Sequence, residues 1–240
     1  NWPQIPYLRL PAISPIESGD PVVFNYPMDN MPVDKKENYV KRCIGTPGDS
    51  LEIVDRTVLV NGNAFRFPDR SYPQYLYYVK TDGRGFSKSW LKQRLDINYL
   101  TNEEMRQYPT DQDVYQRTQD EYIMFLQSRH IEAISSLENV KEVWPIVAQR
   151  PGTPIDSKLP QGLIDIQLGQ AEEILFPNPD TGHGERPYND TWDNFGPIYV
   201  PKAGVSVELN PKNLNTYRRI IGEYEGHDLK IKKDGEVLID

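Results

Sequence analysis

Proline sets the first limit on this chain. Twenty-one prolines are spread along 240 residues. Each fixes φ at about −65° and removes a backbone donor, so a helix of any length is repeatedly interrupted. The patterned stretches between them are short and rich in β-branched and aromatic residues: DPVVFNY at 20–26, NYVKRCI at 38–44, QYLYYVK at 74–80, EYIMFLQ at 121–127 and KEVWPIVA at 141–148. Such runs predict strands, and 15 tyrosines strengthen that preference. Pro145 bends the last strand or places it at a sheet edge. The chain reads as mainly β.

Turn chemistry orders the strands. Residues 1–18 are proline-punctuated and extended, and Pro27 to Glu37 is a polar loop. In GTPG at 45–48 two glycines bracket a proline, which makes a tight turn. Leu51 to Val54 and Thr57 to Val60 form a hairpin around Asp55 and Arg56, closed by Asn61 and Gly62. From about Phe65 the character changes. Ser87 to Leu95 predicts a helix with a serine cap, and Ser128 to Leu137 a second one with Ile131, Ile134 and Leu137 on one stripe. Strand, helix, strand, helix and strand in that order predict an α+β unit inserted into the β framework.

Further on, Pro177 to Pro197 is a long loop, followed by strands at 198–200 and 205–209. Asn210 and Pro211 open a helix whose apolar face is Leu214, Tyr217, Ile221 and Tyr224. Leu229 to Ile239 is a hairpin around Asp234 and Gly235. Its likeness to the hairpin at 51–62 reads as convergent turn chemistry rather than a repeat. Three parts result: 1–64 as the first part of a β framework, 65–209 as the inserted α+β domain, and 210–240 as a helix and hairpin returning to the framework. The fold class is mainly β with an α+β insertion.

Charge and composition exclude several functions. A net charge of −8 with no arginine-rich stripe leaves nothing to neutralise phosphates, so a nucleic-acid partner is excluded. The single cysteine, Cys43, excludes an internal disulfide framework and reads as a buried small apolar residue. No stretch approaches the roughly 20 apolar residues that span a bilayer. Asp180, His183, Glu185, Asp190 and Asp193 share one loop, yet their spacing matches no metal motif, so no metal is expected. His130 and His227 are isolated and read as surface or helix-end residues.

The segments SGDPVVFNYP at 18–27 and ENYVKRCIGTPGDSLEI at 37–53 carry more. They resemble two sequence boxes of the bacterial type I signal peptidases, or leader peptidases. In that family a Gly-Asp-x-Val-Val-Phe strand precedes a Tyr-x-Lys-Arg-x-x-Gly-x-Pro-Gly-Asp strand and turn. The matching residues are Gly19, Asp20, Val22, Val23 and Phe24, then Tyr39, Lys41, Arg42, Gly45, Pro47, Gly48 and Asp49. The inserted region and KAGVSVELNPKNL at 202–214 further resemble long family members of Bacteroidetes-type bacteria.

The resemblance implies a signal-peptidase-type β framework and a serine endopeptidase with a Ser/Lys dyad. It implies Lys41 as general base and Arg42 as a supporting ion-pair partner of a carboxylate outside this chain. Asn38, Tyr39, Val40 and Val23 would border the substrate path; for Val23 and Val40 ordinary core is an even alternative. Asp49, with Gly45 and Gly48, would give structural support in the turn. The implied substrates are signal peptides of exported preproteins, and no cofactor is implied. The parent would be anchored in the cytoplasmic membrane with this portion on the periplasmic side.

Physical chemistry agrees with the lysine. Free lysine titrates at about 10.4, so a base lysine must be desolvated or set beside other cations. Strand alternation places Lys41 on one face with Tyr39 and Cys43, whose mostly apolar atoms would wall it. The family's serine lies in a Ser-Met-x-Pro context upstream of the Gly-Asp strand. Ser14 and Ser18 are the only upstream serines and neither has that context. The family's last box, Gly-Asp-Asn-Arg, is missing too. The chain is therefore expected to be an internal fragment, inactive by itself. Two rivals remain. The self-cleaving repressors share the Ser/Lys logic, but no DNA-binding helices are found and the long insertion argues against them. A catalytically silent envelope binding module, acting through the inserted domain, is the rival from another class.

Overall fold

The computed structural model describes residues 14–26, 31–32, 35–108, 111–150, 152–170, 191–210, 213–232 and 236–240. The extended reading of 1–13, parts of the 27–37 loop, most of the 177–197 loop, Pro211 and the Asp234–Gly235 turn lie outside them.

Four antiparallel sheets dominate the described residues, with few helices. β1 (Pro21–Asn25) and β2 (Asn38–Arg42) form a two-stranded ribbon. β3 (Ser50–Val54), β4 (Thr57–Val60) and β5 (Asn63–Ala64) form a meander. Asp55 and Arg56 connect β3 to β4 with φ of 43° and 69°. Two consecutive left-handed residues give the turn whose twist matches the flanking strands.

The largest sheet runs in the order β7-β8-β6-β9. Its strands are β6 (Gln74–Thr81), β7 (Val114–Gln116), β8 (Glu121–Gln127) and β9 (Val140–Pro145). Both faces of its centre are covered, so Tyr77, Tyr78 and Val79 are buried in succession. On one face Tyr77, Val79, Tyr122 and Met124 pack with Leu91, Ile97 and Ile134. Tyr78 points to the other, against Ile146 and Leu163. Each large side chain buried this fully is worth about 2 kcal/mol, so most of the described core belongs to this unit. β9, with Pro145, is an edge strand, as the proline requires.

Helices cover this sheet. α1 (Lys88–Trp90) is capped by Ser87 and continues as a π turn over Leu91–Leu95. α2 (Asn102–Gln107) opens on a capping box in which Thr101 and Glu104 satisfy each other's backbone donors at 3.3 and 2.7 Å. α3 (Ser128–Ser135) buries Ile134, with Ile131 and Leu137 packed beside it. α4 (Gln161–Gln170) supplies Leu163 to the second core. A helix-containing α+β unit thus follows the meander in a mainly β chain, the fold class the sequence predicts.

β10 (Phe195–Tyr199) leaves that unit and pairs with β3, so the meander's sheet reads β10-β3-β4-β5. A Cβ on Gly196 (φ 85°) would lie 2.6 Å from the Leu51 carbonyl oxygen, so only glycine fits where this register shifts. The strand expected at 205–209 does not form; Val205 is exposed there. α5 is described over Leu214–Arg219, and Asn210 makes the bonds of the expected N-cap: its side chain accepts from Asn213 N–H at 3.2 Å and its carbonyl from Leu214 N–H at 3.0 Å, while Asn213 Oδ1 accepts from Asn210 N–H at 2.9 Å. Leu214 and Tyr217 are buried, and the Tyr217 hydroxyl donates to the Tyr199 carbonyl at 2.8 Å. The helix then widens into a π turn over Ile220–Tyr224. That change of pitch takes Tyr224, 53% exposed, off the expected apolar face. β11 (Leu229–Ile231) and β12 (Val237–Ile239) pair as the final hairpin.

Candidate active site

The β1–β2 ribbon fixes the geometry around Lys41. Val22 pairs with Lys41 and Phe24 with Tyr39, so these four side chains share one face. The Tyr39 ring stacks on Tyr26 with centroids 4.7 Å apart, and Phe24, tilted to it, has its centroid 6.4 Å away. Lys41 Nζ lies 5.7 Å from the Tyr39 centroid. Lys41 is itself exposed.

The opposite face carries Val23 against Val40 and Asn25 against Asn38. Val23 is 65% exposed and Val40 62%, so neither is core among the described residues. Of the residues expected to border a substrate path, only Tyr39 shares the lysine's face; Asn38, Val40 and Val23 lie behind it. β1 and β2 have no further strand neighbour among the described residues. Their outer edges can therefore pair an extended peptide through main-chain hydrogen bonds.

β2 ends at Arg42, and the half-buried Cys43 thiol lies 3.4 Å from the Gly45 carbonyl. Its backbone holds the turn at Gly19 and Asp20, donating to Asp20 O and accepting from Gly19 N, both at 2.7 Å. The Arg42 guanidinium donates to the Gly19 carbonyl, which puts its charge on this turn rather than on a carboxylate of the described residues. The Ser18 hydroxyl donates to the Ile44 carbonyl on the same side. Ser14 is exposed.

Asp49 locks the turn after the lysine strand. Its carboxylate accepts from Thr46 N–H at 2.7 Å, the Thr46 hydroxyl at 2.9 Å and the Asn61 amide at 2.8 Å. The Thr46 N–H, then the Asn61 amide and the Thr46 hydroxyl, hold it below the usual carboxylate range. Gly48, at φ 104°, donates to Val200 O at 2.8 Å, and Val200 N returns a bond to Asp49 O at 2.8 Å.

Sequence reasoning missed a polar joint between the meander and the α+β unit. Thr191 is fully buried, and its hydroxyl donates to Ala148 O at 2.5 Å. Asn194 reaches Ala148 O and the backbone of Asp55, both at 3.1 Å. Arg56 N–H donates to Asp193 O at 2.9 Å, while its guanidinium lies 4.8 and 5.2 Å from the Tyr75 and Tyr77 rings. Asp193 accepts from Ala148 N–H at 2.7 Å, and burial pushes its carboxyl up. Asp180, His183, Glu185 and Asp190 lie outside the described residues, among which no metal-binding cluster forms.

Of the two expected settings for His130, the structure gives the helix end and not the surface. The residue is buried in α3, Gln127 N–H donates to its Nδ1 at 3.4 Å, and burial followed by nearby Arg129 pushes its imidazole down. His227 is exposed, with Nδ1 2.7 Å from Asp240 O.

A mainly β framework, with a turn-anchored ribbon that presents Lys41, is the setting in which the comparison with known families falls. Residues 4–130 match the family model described as signal peptidase, peptidase S26, which makes the chain a peptidase by class. Because that match spans more than half of its 240 residues, the chain belongs to the signal peptidase family, whose substrates are signal peptides. No curated protein and no solved structure matches it. No helix among the described residues is long and apolar enough to cross a membrane.

Proposed function

We propose that this chain is the periplasm-facing part of a serine endopeptidase that removes signal peptides from exported preproteins. Lys41 is the general base of a Ser/Lys dyad, and the serine lies in a segment outside residues 1–240. One observation carries this reading: Lys41, inside the family match, stands beside aromatic rings on a two-stranded ribbon that has no third strand among the described residues. A preprotein that adds to a ribbon edge as an extended strand brings its scissile carbonyl near the amine. The serine attacks that carbonyl while Lys41 takes its proton, giving an acyl-enzyme that water then hydrolyses. Val23, Asn38, Tyr39 and Val40 border the path. Arg42 and Asp49 hold the two turns that fix the ribbon. The parent protein is anchored in the cytoplasmic membrane.

The inserted unit, roughly Phe65 to Leu209, supplies no catalytic group on this reading. The chain alone is inactive, because a base without a nucleophile cannot form the acyl-enzyme. The test incubates a labelled preprotein with the purified 240-residue chain and, separately, with the complete gene product. Cleavage by the second alone is expected. Processing by the 240 residues alone would show that the nucleophile lies within them. A complete product that cleaves no preprotein would overturn the reading.

A further inference from the structure

The largest sheet has an open stretch on its outer strand. Phe125 N–H donates to Asp113 O at 2.8 Å and Arg117 N–H to Glu121 O at 2.9 Å. By the alternation of an antiparallel pair, Tyr115 bonds β8, while the peptide groups of Val114 and Gln116 face outward. The Val114 carbonyl is taken by the Gln112 side chain, which also accepts from Leu100 N–H at 2.7 Å. Asp113 N–H donates to Asn98 O at 2.9 Å. The segment 98–100 thus covers the first half of the edge and departs before Gln116.

A cleft of about 630 Å³ opens where it departs, within the size range of ligand sites. Lys88, Tyr99 and Thr101 line one side, and Tyr115, Gln116 and Arg117 the other. Lys88 Nζ sits 4.6 Å from the Tyr99 ring centroid and donates once, to Leu100 O at 3.2 Å. Arg117 is held by Gly162 O at 2.9 Å and by Glu121 at 3.7 Å. Two cations and no carboxylate line this cleft among the described residues, although the chain carries a net charge of −8. Positive lining in an acidic protein selects an anionic ligand. An outward peptide group beside it selects a backbone.

We propose that the cleft binds an extended acidic peptide segment of a partner protein. Its backbone adds to β7 at Gln116, and one carboxylate side chain meets Lys88 and Arg117. The two tyrosine rings wall the segment, the Tyr99 hydroxyl donating to Gln116 Oε1 at 3.0 Å, and the Asn102 amide and the Gln116 side-chain N–H groups are placed for its remaining polar groups. This site lies in the α+β unit and stands independently of the role given to Lys41.

The test uses the whole 240-residue chain, labelled with ¹⁵N, and two probes: a blocked peptide of alternating glutamate and valine, and the same peptide with glutamine for glutamate. The acidic peptide is expected to shift the amides of 99–101 and 115–118, and about 0.5 M salt to weaken it. Lys88→Glu, at an exposed position, should weaken binding roughly tenfold or more with the spectrum otherwise unchanged. Gln116→Pro removes an outward donor without touching the ladder and should weaken binding as well. No shift with a folded chain, equal shifts with the glutamine peptide, or full binding by Lys88→Glu overturns the proposal. Tighter binding of an oligoglucuronate at the same residues overturns the assignment to a peptide.

Discussion

Asp49 shows how one half-buried carboxylate can anchor the turn after the Lys41 strand. It closes the turn after the lysine strand through Thr46 and ties it to the Asn61 turn of the meander. Its folded pKa is lowered, so its contribution to stability is present above the ordinary carboxylate pKa and lost as pH falls through the lowered one. Asp49→Ala should cost about 1 kcal/mol at neutral pH, screened as it is by solvent. Urea unfolding at neutral and strongly acidic pH checks this: the gap between variant and parent should close in acid. A gap that stays constant would show that the carboxylate's charge does nothing there. The turn role of Asp49 was legible from GTPGD, because glycine and proline announce their backbone angles directly. The partner at Asn61 was not, since it comes from a different turn.

At the scale of elements, the joint at 191–194 ties β10 and the β3–β4 tip to the segment after β9. Thr191→Val keeps the shape but removes both hydrogen bonds of a buried hydroxyl, to Ala148 O and from Asn194 N. A loss of about 1–3 kcal/mol in thermal or urea unfolding is expected. Asp193 behaves oppositely to Asp49. Its folded pKa is raised by burial, so its favourable contribution is complete below the ordinary carboxylate pKa and lost as pH rises through the raised one. Asp193→Asn, which can still accept from Ala148 N–H, should therefore gain stability relative to the parent as pH rises from acid to neutral. A relative loss over that range would mean that attraction to Arg56 outweighs desolvation. The same scale shows what a sequence can reveal. β6 and β8 were legible to within a residue because their aromatic runs are bounded by turn residues. α2 was signalled by the Thr101–Glu104 box but is only one and a half turns long. α4 was hidden by the helix-weakening Gly162 near its start. The expected strand at 205–209 failed because alternation alone supplies no partner strand.

At the scale of the molecule, stability and candidate chemistry occupy different places. Both buried clusters lie in the α+β unit, whereas the ribbon bearing Lys41 buries none of its strand residues. Residues 68–170 expressed alone should therefore fold cooperatively, giving a dispersed amide spectrum and a single thermal transition. An unfolded product would show that the joint at 191–194 is needed for the core as well as for docking. β10 belongs to the meander's sheet, so a deletion that tests whether the insertion is auxiliary should retain 191–199. The lysine and its strand were legible from a motif. Its surroundings were not, because the stacking of Tyr26 on Tyr39 and the turn contact of Arg42 join residues far apart in sequence. The central claim is that Lys41 accepts the serine's proton, and single-turnover cleavage of a preprotein by the complete enzyme carrying Lys41→Arg tests it most directly. Arginine keeps the charge and much of the shape but cannot accept a proton. The account expects cleavage to be abolished in this variant while Cys43→Ala cleaves at close to the parent rate. Near-normal cleavage by a folded Lys41→Arg enzyme would contradict it.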